Sequence, residues 1–158
     1  MVLLTASSGC LFFFFSTIYR YTISVLLHHT EPEFPYISDT GTYSPESCIF
    51  GQALNIGAFA ILVTIYVRFR QIAELYRNHS SSSNIVRLNR VGLLIGSLAA
   101  LGISIVANFQ ETNVFFVHIS GALMAFGLGT GYLWVQVRQT SDDYCFEYIE
   151  CKRETETV

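Results

Sequence analysis

Four long apolar runs, separated by polar stretches, set the pattern of the chain. Each run is close to the roughly twenty residues that an α-helix needs to cross about 30 Å of hydrocarbon. The predicted spans are residues 11–27, 50–67, 91–107 and 114–137, and the last three contain no Asp, Glu, Lys or Arg. The pattern predicts an all-α polytopic membrane helix bundle over residues 1–137, followed by a polar tail at 138–158.

The first run differs from the others because Arg20 lies in its middle. A guanidinium at mid-span costs at least about 2.5 kcal/mol on insertion scales unless it pairs or reaches the interface. We expect Arg20 either to meet a polar group of another helix or to sit closer to an interface. No basic stretch precedes the run and no small-residue cleavage site follows it, so a retained span is favoured over a cleaved secretory signal.

Basic residues fall on one side of the predicted bundle. The connection at 68–90 holds five arginines and the tail at 138–158 holds three more basic residues, whereas the loop at 28–48 holds none. The excess of cations predicts that both termini and the connection 68–90 are cytosolic and that the loop 28–48 is lumenal or extracellular. A plain role for these arginines in topology is favoured over a specific phosphoinositide site, because they are spread along the sequence.

Composition and charge narrow the classes of partner. The 158 residues are 51% hydrophobic and 13% charged, and the mean hydropathy is +0.42. A net charge of −3 excludes a nucleic-acid binder that works by phosphate neutralisation. Membrane lipids and membrane proteins remain as the expected partners. The four cysteines show no metal-ligand spacing, and no cofactor is predicted.

Polar side chains within or beside the spans are the first candidates for function, because such groups are costly at membrane depth. They are Asn55, Asn108, Gln110 and His118. We expect His118 to bond Asn108 or Gln110 and so to lock the short link between the third and fourth spans. The alternative is that His118 senses an acidic lumen, since an imidazole changes charge between neutral and mildly acidic pH.

Small residues recur every fourth position in the last two spans. Such stripes let helix backbones approach closely, and they predict that the third and fourth helices pack as an antiparallel hairpin. The stripes are Gly92, Gly96 and Ala100 in the third span and Gly121, Ala125 and Gly129 in the fourth.

Catalytic groups are not recognisable in the sequence. Asp39 and Glu46 are conceivable as an acid pair, and His28 and His29 as a base or metal ligands, but their spacing matches no catalytic or metal-binding motif. We therefore expect a protein that is not an enzyme. A loop that docks on the helix ends explains these residues more simply.

One loop motif and one helix end resemble a known family. The loop motif is Pro35, Tyr36, Ile37, Ser38, Asp39, Thr40 and Gly41, followed by Pro45 and Glu46, and the helix end is the run IVANFQ at 105–110. Together they resemble the damage-regulated autophagy modulator (DRAM) family. The resemblance extends to the wider superfamily that shares a Frag–DRAM–Sfk or Cwh-like N-terminal membrane domain.

The resemblance implies a multi-span protein of lysosomal or other endomembranes that promotes autophagy and, in some members, is linked to apoptosis. It also implies that the loop motif acts on membrane lipids or on membrane or autophagy proteins. The wider superfamily implies an alternative, a protein that handles or organises lipids. Members of the family have six spans, whereas four are predicted here and the tail 138–158 does not resemble them.

Overall fold

Four helices make up the described part of the protein in a computed structural model. The structure describes residues 2–29, 41, 43–77 and 83–141, with side chains from residue 14 in the first helix and from residue 84 in the third. The helices are α1 (Val2–Leu26), α2 (Glu46–Arg77), α3 (Ser83–Asn108) and α4 (Phe115–Ser141). The described residues form no strand, which confirms the prediction of an all-α helix bundle.

Each helix packs on the helix that precedes it in sequence. α1 contacts α2, α2 contacts α3, and α3 contacts α4, so α3 has a neighbour on both sides. α4 is α-helical over Phe115–Leu123, passes through a π-helical segment at Met124–Leu128, and continues as α-helix to Ser141. The connections at 78–82 and 109–114 are short, so α2 and α3, and α3 and α4, are antiparallel neighbours.

Three of the described helices are long and apolar enough to cross a membrane: α2, α4 and nearly all of α3. α1 is a helix of 25 residues but is not among these three. Large apolar side chains cover the outside, including Phe59, Phe116, Phe126 and Trp134, each more than two-thirds exposed. Such an apolar surface on a chain of this size is typical of a protein surrounded by lipid.

α2 extends past both ends of its predicted span at 50–67. It begins at Glu46, inside the predicted loop, and ends at Arg77, inside the predicted connection. Its 32 residues give a length of about 48 Å, against about 30 Å of hydrocarbon. The extension stays helical because its apolar residues Ile72 and Tyr76 are buried. The predicted span lies within α2, and the prediction missed the helical turns on either side of it.

Candidate functional site

Two ends of the bundle differ in their chemistry. The loop end carries the connections from α1 to α2 and from α3 to α4, and the arginine end carries the connection from α2 to α3. The predicted polar candidates Arg20, Glu46, Asn55 and His118 all lie in the halves of their helices that face the loop end. The loop end is therefore the candidate functional site.

Arg20 lies near the loop end and not at the middle of its helix. α1 ends at Leu26, so Arg20 is about 9 Å from the end of the helix. Its guanidinium carbon lies 4.2 Å from the centre of the Phe50 ring, and the residue is only 1% exposed. A cation over an aromatic face is an attractive arrangement when it is shielded from water. Arg20 is nearer the end of its helix than the middle of the apolar run suggests, because α1 extends farther toward the N-terminus than that run.

Gly41 also contacts the Phe50 ring. A Cβ atom placed on Gly41 would lie 2.9 Å from Cγ and Cδ1 of Phe50. Any larger residue at this position would displace the ring that Arg20 contacts. Gly41 and Pro45 are the residues of the predicted loop motif that the structure describes outside a helix. The other predicted loop residues lie outside the described part of the chain: Pro35, Tyr36, Ile37, Ser38, Asp39 and Thr40.

Glu46, which was predicted to lie in the loop, is the first residue of α2 and bonds a histidine from the end of α1. Its Oε1 lies 2.9 Å from Nδ1 of His29. Glu46 is 1% exposed, whereas the His29 side chain is 30% exposed. The other carboxylate oxygen, Oε2, has no hydrogen-bond partner among the described residues. A carboxylate at the first turn of a helix is favourably placed in the helix dipole.

Sequence reasoning named His29 and Glu46 but did not pair them. A signal was available, because consecutive helices usually lie next to each other and the end of α1 and the start of α2 flank the same loop. The His29 ring also packs on Tyr43, with ring centres 5.0 Å apart. When Nδ1 donates to the carboxylate, Nε2 keeps its lone pair for another partner. Within the described residues, no group of three His, Cys, Asp or Glu side chains is placed to hold a metal ion.

Asn55 joins α2 to α3 through a small polar network. Its amide pairs with that of Asn108, with both Nδ2–Oδ1 distances at 3.2 Å. The Ser104 hydroxyl donates to Oδ1 of Asn55 at 2.8 Å, and Nδ2 of Asn108 also donates to the Ser104 carbonyl at 2.7 Å. These contacts engage both amides in hydrogen bonds between or within the two helices. They give Asn55 and Asn108 a role in holding two helices together.

His118 is buried and bonds the backbone of the α3–α4 link. Its Nδ1 lies 2.7 Å from the carbonyl oxygen of Phe109. The expected side-chain partners were wrong: Asn108 bonds Asn55, and Gln110 accepts from Nδ2 of Asn113 at 2.6 Å. A backbone carbonyl at the end of a helix lacks an intrahelical donor, which makes it available to the imidazole. His118 therefore closes the link across nine residues.

The small residues lie where the last two helices meet, but the closest approach is at a glycine outside the predicted stripe. A Cβ on Gly102 would lie 2.6 Å from the Ala125 nitrogen and 2.7 Å from the Gly121 oxygen. A Cβ on Gly121 would lie 2.7 Å from Cγ2 of Ile105. Gly102 lies two residues beyond Ala100 and is out of step with the four-residue repeat, so the repeat did not indicate it.

The other stripe positions make looser or different contacts. A Cβ on Gly96 would lie 2.9 Å from atoms of both Ile65 and Tyr132, so this glycine faces α2 as well as α4. A Cβ on Gly92 would lie 3.1 Å from Cγ1 of Val135. Gly129 is more open, 4.0 Å from Ala99, and Ala100 is buried.

An apolar groove of about 830 Å³ runs along the outside of α1 and α2. Phe15, Ile18 and Tyr19 line it on one side, and Ile49 and Ile56 on the other. The volume is within the roughly 300–1,000 Å³ typical of small-molecule sites. The groove is open along its length, which suits a long apolar chain better than a compact polar ligand.

These features define the class of the protein, a multi-pass helical membrane protein with a buried polar loop end. Residues 2–148 match the protein-family model described as the Frag1/DRAM/Sfk1/Cwh43P N-terminal domain. The chain therefore belongs to this family, and the resemblance to the DRAM family drawn from the sequence is confirmed.

Curated relatives agree with that assignment. The chain is 51% identical over 120 residues to the human "DNA damage-regulated autophagy modulator protein 2", a match that covers 75% of this chain and 44% of the relative. It is 46% identical over 104 residues to the zebrafish (Danio rerio) "Modulator of macroautophagy TMEM150B", covering 66% of this chain and 42% of that protein. The matches thus span less than half the length of these relatives. No solved structure matches the chain.

Proposed function

We propose that this protein is a non-enzymatic regulator of autophagy in a lysosomal or other endomembrane, with a link to apoptosis as in the family it resembles. The observation that supports the proposal is the match to relatives named as modulators of autophagy, which covers about three-quarters of the chain in the human case. The loop end is the part through which we propose it acts on lipids or on membrane proteins. The excess of arginines at the opposite end supports a lumenal position for the loop end under the positive-inside rule.

The test is a rescue experiment in cells that lack the protein. Loss should change autophagic flux, measured as turnover of an autophagosome marker with and without blocked lysosomal degradation. Wild-type protein and Glu74→Gln, an exposed change at the arginine end, should restore flux. Glu46→Gln, which removes one buried charge at the loop end, should not restore it at equal protein level. Full rescue by Glu46→Gln would contradict a role for the loop end.

Residence and orientation are tested in the same cells. A C-terminal tag should colocalise with a lysosomal marker and should be digested by protease added outside intact vesicles. Caspase activation after DNA damage, compared between cells with and without the protein, tests the link to apoptosis. Retention in the endoplasmic reticulum would exclude lysosomal residence, a plasma-membrane location would overturn the proposed residence, and a protected tag would overturn the proposed orientation.

A second candidate function is lipid handling, which the groove between α1 and α2 favours. The surface of the groove is mainly apolar, and the groove lies along two helices that the apolar runs predict to cross the membrane. Asn55 and His118 are already hydrogen-bonded to other residues of the protein. The residues that line the groove therefore make the sharper test.

Lipid handling predicts that a defined lipid co-purifies with the protein and is lost when the groove is filled. Ile56→Trp fills the groove, and Ile61→Trp makes the same change at an exposed position of α2 outside the groove. Mass spectrometry should show lower lipid occupancy for the first variant alone. Equal occupancy in both variants would remove the groove as a lipid site.

A further inference from the structure

A second cleft, at the arginine end, brings together two arginines that are far apart in sequence. The cleft has a volume of about 370 Å³ and lies between the end of α2 and the start of α3. Arg77 lines it from α2 and Arg90 lines it from α3. Its walls are otherwise mainly apolar and aromatic, with Ile72, Tyr76 and Ile85 among them. We call it the α2–α3 cleft.

The walls of the cleft are held in place by a hydrogen bond between the two helices. Nδ2 of Asn89, a buried residue that lines the cleft, donates to the backbone carbonyl of Phe69 at 3.0 Å. Ile72 and Tyr76 are buried on the α2 side. A cleft whose sides are fixed before a ligand arrives loses less side-chain entropy on binding.

Arginines predominate among the described residues around the cleft. In the described residues of this end, 68–77, 83–90 and 138–141, there are six arginines and a single acidic residue, Glu74. Glu74 lies 3.3 Å from Arg77, but both side chains are more than half exposed. An exposed ion pair of this kind is worth no more than about 1 kcal/mol, so it does not hold Arg77 away from an anion.

The depth of the cleft sets the kind of anion that fits. The apolar run of α2 ends at residue 67 and that of α3 begins at residue 91, so Phe69 and Arg90 lie at the edge of the hydrocarbon. Arg77 is eight residues beyond Phe69 along α2, or about 12 Å farther from the membrane centre. The cleft therefore presents one arginine at the level of a lipid phosphodiester and a second arginine farther out.

We propose that the α2–α3 cleft binds the headgroup of a phosphoinositide. Arg90 contacts the phosphodiester, and Arg77 contacts a phosphate on the inositol ring. Guanidinium groups bind phosphate through charge-assisted, often paired hydrogen bonds, and basic pockets between membrane helices on the cytosolic side are suited to such lipids. The proposal does not depend on a role in autophagy.

The experiment measures lipid affinity with the full-length protein in phosphatidylcholine nanodiscs. The probe is a fluorescent phosphatidylinositol monophosphate, titrated against wild type and two double variants. Arg77→Gln with Arg90→Gln removes the two cleft arginines, and Arg70→Gln with Arg87→Gln removes the same charge from the same end outside the cleft. We expect the cleft double variant to bind at least about tenfold more weakly than the control, since two charge-assisted contacts are lost. Equal weakening of the two would overturn the cleft as the site.

A variant that keeps every charge tests whether lipid binding depends on the cleft itself or only on the positive charge of the arginines at this end. Ala73→Trp places a large ring in the cleft, which Ala73 lines from an exposed position. It should weaken binding of the same probe while its thermal unfolding midpoint stays near that of wild type. Unchanged affinity in Ala73→Trp would overturn the proposal.

A lipid with a single anionic phosphate group provides the last arm of the experiment. Phosphatidylserine has no phosphate beyond its phosphodiester, so Arg77 has no second phosphate to contact. Relative to the control double variant, we expect the cleft double variant to lose less affinity for phosphatidylserine than for the phosphoinositide, because only the Arg90 contact with the phosphodiester is removed. An equal relative loss for the two lipids would contradict the assignment of a second phosphate to Arg77.

Discussion

The contact between α1 and α2 and the contact between α3 and α4 use different kinds of residue. α1 meets α2 through a buried arginine over the Phe50 ring and through the His29–Glu46 pair. α3 meets α4 through Gly102 and Gly121, where the backbones themselves approach. The first contact is sensitive to charge and hydrogen bonding, and the second is sensitive to volume. Polar and cation–aromatic contacts thus join α1 to α2, and close packing of backbones joins α3 to α4.

The largest loss of stability is expected at the close contact between α3 and α4. Gly102→Ala places a Cβ 2.6 Å from the Ala125 nitrogen, and backbone atoms cannot rotate away as side chains can, so the helices must move apart. We expect a loss of about 3 kcal/mol in the free energy of unfolding, at the upper end for overpacking. Denaturant titration in detergent micelles measures it.

The matched control for that change is Gly57→Ala in α2. No atom outside the helix's own backbone lies within 4 Å of a Cβ at this position. Alanine is the better helix former, so stability should rise by about 0.5–1 kcal/mol. If Gly102→Ala were as well tolerated as Gly57→Ala, the close approach of α3 and α4 would not be a source of stability.

A smaller loss of stability is expected at the hydrogen-bonded contact between His29 and Glu46. His29→Ala leaves Oε1 of the buried Glu46 without its donor, which costs about 1–3 kcal/mol. In the background of Glu46→Gln the same change should cost less, since no buried charge is left unpaired. The difference, measured as a double-mutant cycle of unfolding free energies, should be at least about 0.5 kcal/mol.

The exposed Arg77–Glu74 pair supplies the control for that cycle. The corresponding cycle with Arg77→Ala and Glu74→Gln should give a coupling below about 0.5 kcal/mol, as expected of a solvated i,i+3 pair. Equal coupling energies in the two cycles would mean that burial adds nothing to the His29–Glu46 contact.

The smallest effect is expected at the polar network between α2 and α3. Asn55→Leu removes the paired amide hydrogen bonds to Asn108 and the bond from Ser104. Hydrogen bonds between membrane helices average about 0.6 kcal/mol and reach about 1.7 kcal/mol, and we expect a loss in this range. Thermal unfolding in the same detergent provides the measurement.

Thr64→Val is the control, because the Thr64 hydroxyl donates only to the Ala60 carbonyl of its own helix at 2.8 Å. Its removal leaves the contact between helices intact, so little change is expected. A loss at Thr64 equal to that at Asn55 would show that the network does not join α2 to α3.

Some of the candidate site was predictable from residue types and some was not. Arg20, Asn55 and His118 could be named because polar groups in apolar runs are conspicuous. Their partners could not be named, since Phe50, Ser104 and the Phe109 carbonyl are common groups that become specific only through proximity. The pairing of His29 with Glu46 was partly predictable, because both residues flank the loop that joins α1 to α2 and consecutive helices usually lie side by side.

The sequence by itself determined that the protein is an all-α membrane bundle, where its apolar runs lie and which family it belongs to. Apolar length and local periodicity carry that information, because a helix in lipid must satisfy its own backbone hydrogen bonds. Only the tertiary structure decided that Gly102 is the point of closest approach and that Arg77 and Arg90 share one cleft. Both facts depend on how one helix is rotated and shifted against the next, and this register is set by packing across helices rather than by any local pattern.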